Sequence, residues 1–227
     1  MIVAEDVTKD YIDGETVVHA LRGVSLEVEQ GEFISIAGPS GSGKSTLLNI
    51  IGCIDTAGGG RVRIDEEEVT GRAPKELTAL RRRKIGFVFQ SFNLIPVLTA
   101  YENVAFSLML LGIDDAEAEP RVRTILEEVG LAGMEDRLPA KLSGGQQQRV
   151  AVARALVKEP AIVLADEPTA NLDSDTGRSI LELMRELNRR RETTFIFSTH
   201  DRMVMDFADR LALLHDGRIV EDNRRTA

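Results

Sequence analysis

Apolar residues fall into short β-branched runs at both ends of the chain and into helical spacings in its middle. Ile2-Val3, Val17-Val18 and Val24-Ser25-Leu26-Glu27-Val28 alternate with polar residues, which predicts a small antiparallel sheet over residues 1–30. Phe33-Ile34-Ser35-Ile36-Ala37 reads as a buried strand, and Leu47, Leu48, Ile51 and Ile54 then recur at helical spacing. Gly58-Gly59-Gly60 predicts a turn and Arg61-Val62-Arg63-Ile64 an edge strand. Residues 78–83 predict a short helix, and Ile85-Gly86-Phe87-Val88-Phe89 a core strand ending at Gln90.

The period then changes. Thr99 and Glu102 make a capping box for a helix running to Leu111 and stopped by Gly112. A second helix, 116–129, carries Val122, Ile125, Leu126 and Val129 on one face. A third follows Ser143 and runs to Pro160. No strand is expected between Phe89 and Ile162, so this block reads as an all-helical insert in an α/β core. The core resumes with the strand Ile162-Val163-Leu164-Ala165, which ends at Asp166-Glu167. A helix over 175–190 follows, then a strand over 193–199 ending at His200. Leu211 to Leu214 pairs with Ile219-Val220 through an Asp216-Gly217 turn. The expected division is a catalytic core, 1–90 with 160–227, and a helical subdomain, 91–159.

Composition narrows the class. With 227 residues, 43% hydrophobic and 29% charged, the chain suits a soluble globular protein with one large core and an inserted subdomain. No N-terminal stretch combines basic residues with an apolar segment, so no signal peptide is expected. The longest apolar run, 104–113, is too short to span a bilayer. Cys53 is the only cysteine, which forbids an internal disulfide and suits a reducing cytoplasm. Its place at a helix end predicts a buried structural thiol. A net charge of −9 disfavours a general nucleic-acid binder. Arg81-Arg82-Arg83-Lys84 reads as a solvated helix end rather than an anion site, and Asp65-Glu66-Glu67-Glu68 as a solvated turn rather than a metal site.

The chemistry centres on Gly38-Pro39-Ser40-Gly41-Ser42-Gly43-Lys44-Ser45, followed by Thr46. This is G-x-x-x-x-G-K-[ST] between a strand and a helix, the context in which it binds polyphosphate. Successive backbone N–H groups and a positive helix end converge there. Lys44 is placed to reach the β- and γ-phosphates and Ser45 to offer its hydroxyl to Mg²⁺. A lone exposed aromatic ordinarily carries no function, but Tyr11, expected in a loop ahead of this site, is a candidate to stack on a purine. Three core strands end in Gln90, Asp166-Glu167 and His200, where ligands bind in open α/β sheets. Asp166 after four apolar residues is a Walker-B pattern beside Mg²⁺. Glu167 is placed to orient or deprotonate an attacking water.

Leu142-Ser143-Gly144-Gly145-Gln146 decides the kind of NTPase. It is the signature of ATP-binding-cassette (ABC) ATPases, and the sequence resembles that family over its whole length. The resemblance implies a P-loop NTPase (RecA-like) α/β core with an N-terminal antiparallel β-subdomain and an inserted all-helical signature subdomain. It makes Tyr11 the A-loop, Gln90 the Q-loop, Asn171-Leu172-Asp173 the D-loop and His200 the H-loop, which contacts the γ-phosphate. It also implies ATP and Mg²⁺ as cofactors, with Ser45, Gln90 and Asp166 on the metal. Ser143, Gly144, Gly145, Gln146 and Asp173 would close over the nucleotide of an opposing subunit in an ATP-dependent homodimer. A membrane permease would dock near residues 90–98, holding the chain on the cytoplasmic face.

Gly86-Phe87-Val88-Phe89-Gln90-Ser91-Phe92-Asn93-Leu94, Gln146-Gln147-Gln148-Arg149 and Leu47-Leu48-Asn49-Ile50-Ile51-Gly52-Cys53 resemble the macrolide-export and lipoprotein-release branch (MacB- and LolD-like). Ala170, and the turn after Ile64, depart from it by lacking glycine. An ABC ATPase of chromosome organisation would carry a long coiled coil before the signature, and no heptad run is present. A small-molecule kinase has no use for the signature. A complex that drives mechanical work across a membrane instead of transport remains the alternative.

Overall fold

The computed structural model describes residues 1–14 and 16–224. In chain order come β1 (Ile2–Asp13), β2 (Thr16–Val28), β3 (Phe33–Ala37), α1 (Lys44–Ile51), β4 (Gly59–Ile64), β5 (Glu67–Glu68), α2 (Pro74–Lys84) and β6 (Ile85–Val88). Then follow α3 (Ala100–Met109), α4 (Asp115–Glu128), α5 (Gly144–Leu156), β7 (Ile162–Asp166), α6 (Ser174–Arg191), β8 (Thr194–Thr199), α7 (Arg202–Phe207), β9 (Arg210–His215) and β10 (Arg218–Arg224). The chain divides into two compact units, Met1–Arg81 with Thr194–Ala227, and Arg82–Thr193. The last three residues of the expected segment 160–227 lie outside the described ones.

In the first unit, β1 and β2 form a long antiparallel hairpin that sets Ile2 opposite Val28 and Tyr11 opposite Val18. Along β2, Leu21, Val24, Leu26 and Val28 point inward, as the alternation predicts. Tyr11 therefore lies within a strand and not in a loop. Residues 10–12 are exposed, and cross-strand backbone bonds rather than burial keep them extended. β4 pairs antiparallel with β1 on one side and β5 on the other, so 61–64 is not an edge strand. Gly59 and Gly60 already belong to β4, which shortens the expected turn. Asp65 and Glu66 make the two-residue turn into β5 with φ of 47° and 68°. That primed geometry usually calls for glycine, so the turn keeps the shape without the residue. Among the described residues, no group of three or more His, Cys, Asp or Glu is arranged to hold a metal.

The same unit contains a parallel layer in which β3 lies between β8 and β9, with Phe33 beside Phe195 and Ile34 beside Arg210. Every residue of β3 is buried. The Phe33 ring packs at a tilt against Phe197 and Phe195, with centroids 4.6 and 5.7 Å away, which fixes the core under the loop that follows. β9 turns into β10 through Asp216 and Gly217, with φ of 46° and 74°. α2 begins at Pro74, four residues earlier than periodicity suggests, because proline suits the first helical turn. Arg81 donates to the Cys53 carbonyl at 2.6 Å, while Arg82 and Arg83 are exposed. Cys53 is buried, and burial pushes its thiol up to about 11.

One ion cluster ties β10 to the rest of this unit. Arg210, 9% exposed, makes paired hydrogen bonds to Asp222 at 2.8 and 2.7 Å and another to Glu32 at 3.1 Å. The bond from Arg210 holds the Asp222 carboxyl below its ordinary range, against the opposing effect of burial. A depressed carboxylate stabilises the fold above its unfolded pKa and loses that contribution as pH falls through the folded one. Asp222→Asn should therefore cost about 1–2 kcal/mol near neutrality, discounted for partial exposure. Urea midpoints should show this gap near pH 7 and a smaller one near pH 3.5; a gap that does not narrow in acid contradicts the assignment.

In the second unit β6 and β7 pair in parallel, with Ile85 beside Ile162 and Val88 beside Ala165. No strand intervenes between them. α5 packs against β6, α3, α4 and α6. Its inward face, Val150, Val152, Ala153 and Leu156, is fully covered. α3 has the expected capping box between Thr99 and Glu102.

Candidate active site

The first unit supplies the phosphate loop. It leaves the buried end of β3 and enters α1 at Gly43, which has φ 105° and puts no side chain over the helix end. The first turn of α1 carries no acidic residue. Its N–H groups thus keep their partial positive charge for an external anion. The loop is held from behind: Gly217 N–H donates to the Ser42 carbonyl at 3.0 Å, and Arg22 N–H to the Gly217 carbonyl at 2.8 Å. A side chain at Gly43 would meet the Ala20 carbonyl oxygen at 2.4 Å. Lys44 is 7% exposed, and its ammonium donates to the carbonyls of Gly38 and Pro39 at 2.8 and 2.9 Å. Two of its three protons are thus aimed by the loop itself.

This cradle fits a polyphosphate. Residues 38–46 contain one cation and no carboxylate, and the buried Ser42 hydroxyl has no protein partner. Pro39, Ser40, Gly41 and Ser45 are open to solvent or partly so. Tyr11 is tied to the segment just past α1, since its hydroxyl donates to Asp55 Oδ2 at 2.8 Å. His200 follows β8 directly and is exposed. The next residue, Asp201, caps α7 by accepting from Met203 N–H at 2.9 Å. His19 and His215 are exposed surface residues.

The carboxylates and the signature lie in the second unit. Asp166 ends β7, and Glu167 follows with φ 47°. A left-handed non-glycine residue is strained, and such strain gathers at working sites. The following turn closes when Ala170 N–H donates to the Glu167 carbonyl at 3.2 Å. Ala170 itself has no positive φ, so alanine in place of glycine costs nothing there. Gln148, fully buried in α5, donates to the Pro168 carbonyl at 2.6 Å and so steadies the chain just past Glu167.

Gln90 lies two residues beyond the end of β6, exposed, and its carbonyl accepts from Asn171 Nδ2 at 2.9 Å. The Q-loop and D-loop of the resemblance are thus joined directly. Phe92 and Asn93 have φ of 60° and 49°, and both of their carbonyls accept from the Arg154 guanidinium, Phe92 at 2.8 Å. Further along, the buried Asn103 amide bonds Ile95 N–H and the carbonyls of Ile95, Leu98 and Thr99. Two side chains therefore shape the whole loop after Gln90. Neither was a candidate from sequence, although a lone arginine in Val150-Ala151-Val152-Ala153-Arg154-Ala155-Leu156 is a signal for a cation bonded to carbonyls.

Ser143 caps α5, accepting from Gln146 N–H at 3.3 Å, while Gln146 Oε1 accepts from Ser143 N–H at 2.9 Å. The hydroxyl proton of Ser143 is left to donate elsewhere. A side chain at Gly145 would meet the Thr176 methyl at 2.5 Å, so its glycine is also required by packing within the chain. Asp173 caps α6, and the bonds from Thr176 hold its carboxyl below the ordinary range. Its expected contact with nucleotide must therefore coexist with a capping role.

Ser45, Gln90 and Asp166 offer a hydroxyl, an amide oxygen and a carboxylate, the hard oxygen donors that suit Mg²⁺. Ser45 belongs to the first unit, Gln90 and Asp166 to the second.

Residues 21–170 match the family model described as ABC transporter. The chain is 48% identical over 228 residues to the uncharacterised ABC transporter ATP-binding protein MJ0796 of Methanocaldococcus jannaschii, covering 99% of this chain and 97% of that one. It is 46% identical over 225 residues to the macrolide export ATP-binding/permease protein MacB of Brucella melitensis. That match covers 99% of this chain and 35% of the relative, about a third of its length. Among solved structures, a dimeric, post-hydrolysis state of the ATP-binding cassette MJ0796 bound to ADP and Pi matches with a TM-score of 0.91. That likeness covers 100% of both chains at 45% identity.

Proposed function

The chain belongs to the ABC transporter family, and we propose that it couples ATP hydrolysis to movement of a membrane permease in an export-type complex. As a cassette of that family it is an ATPase that uses ATP and Mg²⁺. The observation that carries the coupling is a pair of anion-receptive helix starts, α1 in one compact unit and α5 in the other. Neither has an acidic residue in its first turn. A single chain uses one of them on its own nucleotide, so the second is left for a nucleotide held by another copy. The dimeric MJ0796 cassette supports that arrangement. Two copies would pair head to tail only when ATP is present.

The roles divide by chemistry. Lys44 and the amides of residues 38–46 neutralise the triphosphate, and Tyr11 stacks on the base. Ser45, Gln90 and Asp166 hold Mg²⁺, which when bound offsets charge on the phosphate oxygens. Glu167 orients the water and takes its proton as the oxygen bonds the γ-phosphorus and the bond to the β-phosphate oxygen breaks. His200 contacts the γ-phosphate. Ser143, Gly144, Gly145, Gln146 and Asp173 serve the nucleotide of the opposing copy. In this reading 1–90 with 160–227 is the catalytic core, including the antiparallel β-subdomain, and 91–159 is the helical subdomain.

No helix among the described residues is long and apolar enough to cross a membrane. In this reading a permease holds the chain on the cytoplasmic face of the membrane through a docking surface. The loop after Gln90 is the candidate. Arg154 and Asn103 hold its backbone, yet Val97 at its tip is 78% exposed, and preshaped loops lose less entropy on binding. Val97→Asp should abolish co-purification of the permease and stimulated transport, with basal ATP hydrolysis retained. Loss of basal activity or of folding would place the docking site elsewhere.

A further inference from the structure

The sequence segment just past α1 has no role in the nucleotide site as described so far. There Asp55 accepts three hydrogen bonds: from Lys9 Nζ at 2.6 Å, from its neighbour Thr56 N–H at 2.7 Å, and from the Tyr11 hydroxyl at 2.8 Å. Lys9 also donates to the Thr56 carbonyl at 2.8 Å, and its ammonium lies 5.1 Å from the Tyr11 ring centroid. The ring is thus fixed at its oxygen by Asp55 and along one side by a cation, yet Tyr11 stays 40% exposed. β1 alone would not do this. Its neighbours Ile12, Val17 and Val18 are 78%, 48% and 52% exposed, so burial does little to hold this end of the hairpin.

We propose that Asp55, clamped by Lys9, is a positioning residue that sets the Tyr11 ring in the orientation needed to stack on the nucleotide base. The inference rests on the stacking role assigned to Tyr11 above. A tyrosine on an exposed hairpin samples several rotamers, and each must be given up when a base binds. Fixing the hydroxyl removes that loss before the ligand arrives. Burial of the phenol and its bond to Asp55 push the Tyr11 pKa up, so the hydroxyl stays protonated and keeps donating. Burial favours the neutral Asp55 carboxyl, but the bonds from Lys9, Thr56 and Tyr11 outweigh it and keep the group an anion.

The test compares four variants in ATP hydrolysis and in competition by inorganic tripolyphosphate, which occupies a phosphate cradle but has no base. Asp55→Ala and Tyr11→Phe should each raise KM for ATP about threefold, and Tyr11→Ala up to about tenfold, with kcat unchanged. Tripolyphosphate affinity should stay constant in all of them, and Asp55→Asn, which keeps an oxygen acceptor, should recover most of the loss. If Tyr11→Ala raises KM while Asp55→Ala and Tyr11→Phe do not, stacking stands and the positioning role is overturned. If Asp55→Ala weakens tripolyphosphate as much as ATP, Asp55 supports the loop and not the ring, which also overturns it. No change in Tyr11→Ala would remove the stacking role and this inference together. Tyr11→Phe leaves the Asp55–Lys9–Thr56 bonds intact, so it decides the question even if Asp55→Ala fails to fold.

Discussion

Glu167→Gln should lower kcat for ATP hydrolysis by about 10²–10⁴ and leave KM for ATP nearly unchanged. The side chains have the same shape, and glutamine meets the same backbone strain at φ 47° as glutamate does. Pro168 remains held by Gln148 and the turn by Ala170, so the local fold has no reason to move. What disappears is an oxygen able to take a proton from water. The amide can still orient that water, and a residual rate is therefore expected. A phosphate-release assay at saturating Mg-ATP reads the effect directly. A kcat within a factor of about three of the parent would move the proton-accepting role to another group.

Gly43→Ala should weaken ATP binding by about 10² or more, with little loss of overall folding. Two independent effects add. The position has φ 105°, where an alanine is strained by about 1–3 kcal/mol. Its Cβ would also lie 2.4 Å from the Ala20 carbonyl and 2.9 Å from a Leu21 methyl, and Ala20 and Leu21 belong to β2, which does not yield cheaply. The loop is the softer partner and would shift, carrying the amides and Lys44 off the positions that converge on phosphate. Titration with a fluorescent ATP analogue measures the loss, and a melting curve separates it from unfolding. Unchanged affinity would mean that the loop backbone does not hold the nucleotide.

Much of this was legible because local chemistry and global fold agree at particular residues. The Thr99–Glu102 box, the Asp216-Gly217 turn and the strand–loop–helix around residues 38–45 are written in adjacent residues, and each appears as expected. The position of Tyr11 was not legible. Its stretch of β1 is polar and exposed, so the strand rests on partners in β2 that no local pattern reveals. The same holds for Arg154, whose partners in the loop after Gln90 are 61 and 62 positions away. Asp55 and Lys9 meet across 46 residues. Proline at 74 was a readable helix start that periodicity alone passes over. The glycine-free turn at Asp65-Glu66 shows the converse: tertiary pairing of β4 with β1 and β5 imposes positive φ on residues that do not prefer it.

The central claim is that one nucleotide is served by the phosphate loop of one copy and by the Ser143–Gln146 helix start of the other. Light scattering on the Glu167→Gln protein tests it most directly, since slowed hydrolysis lets the pair accumulate during the measurement. The mass should be that of a monomer without nucleotide and of a dimer at saturating Mg-ATP. A protein that binds Mg-ATP to saturation and still scatters only as a monomer would contradict the claim.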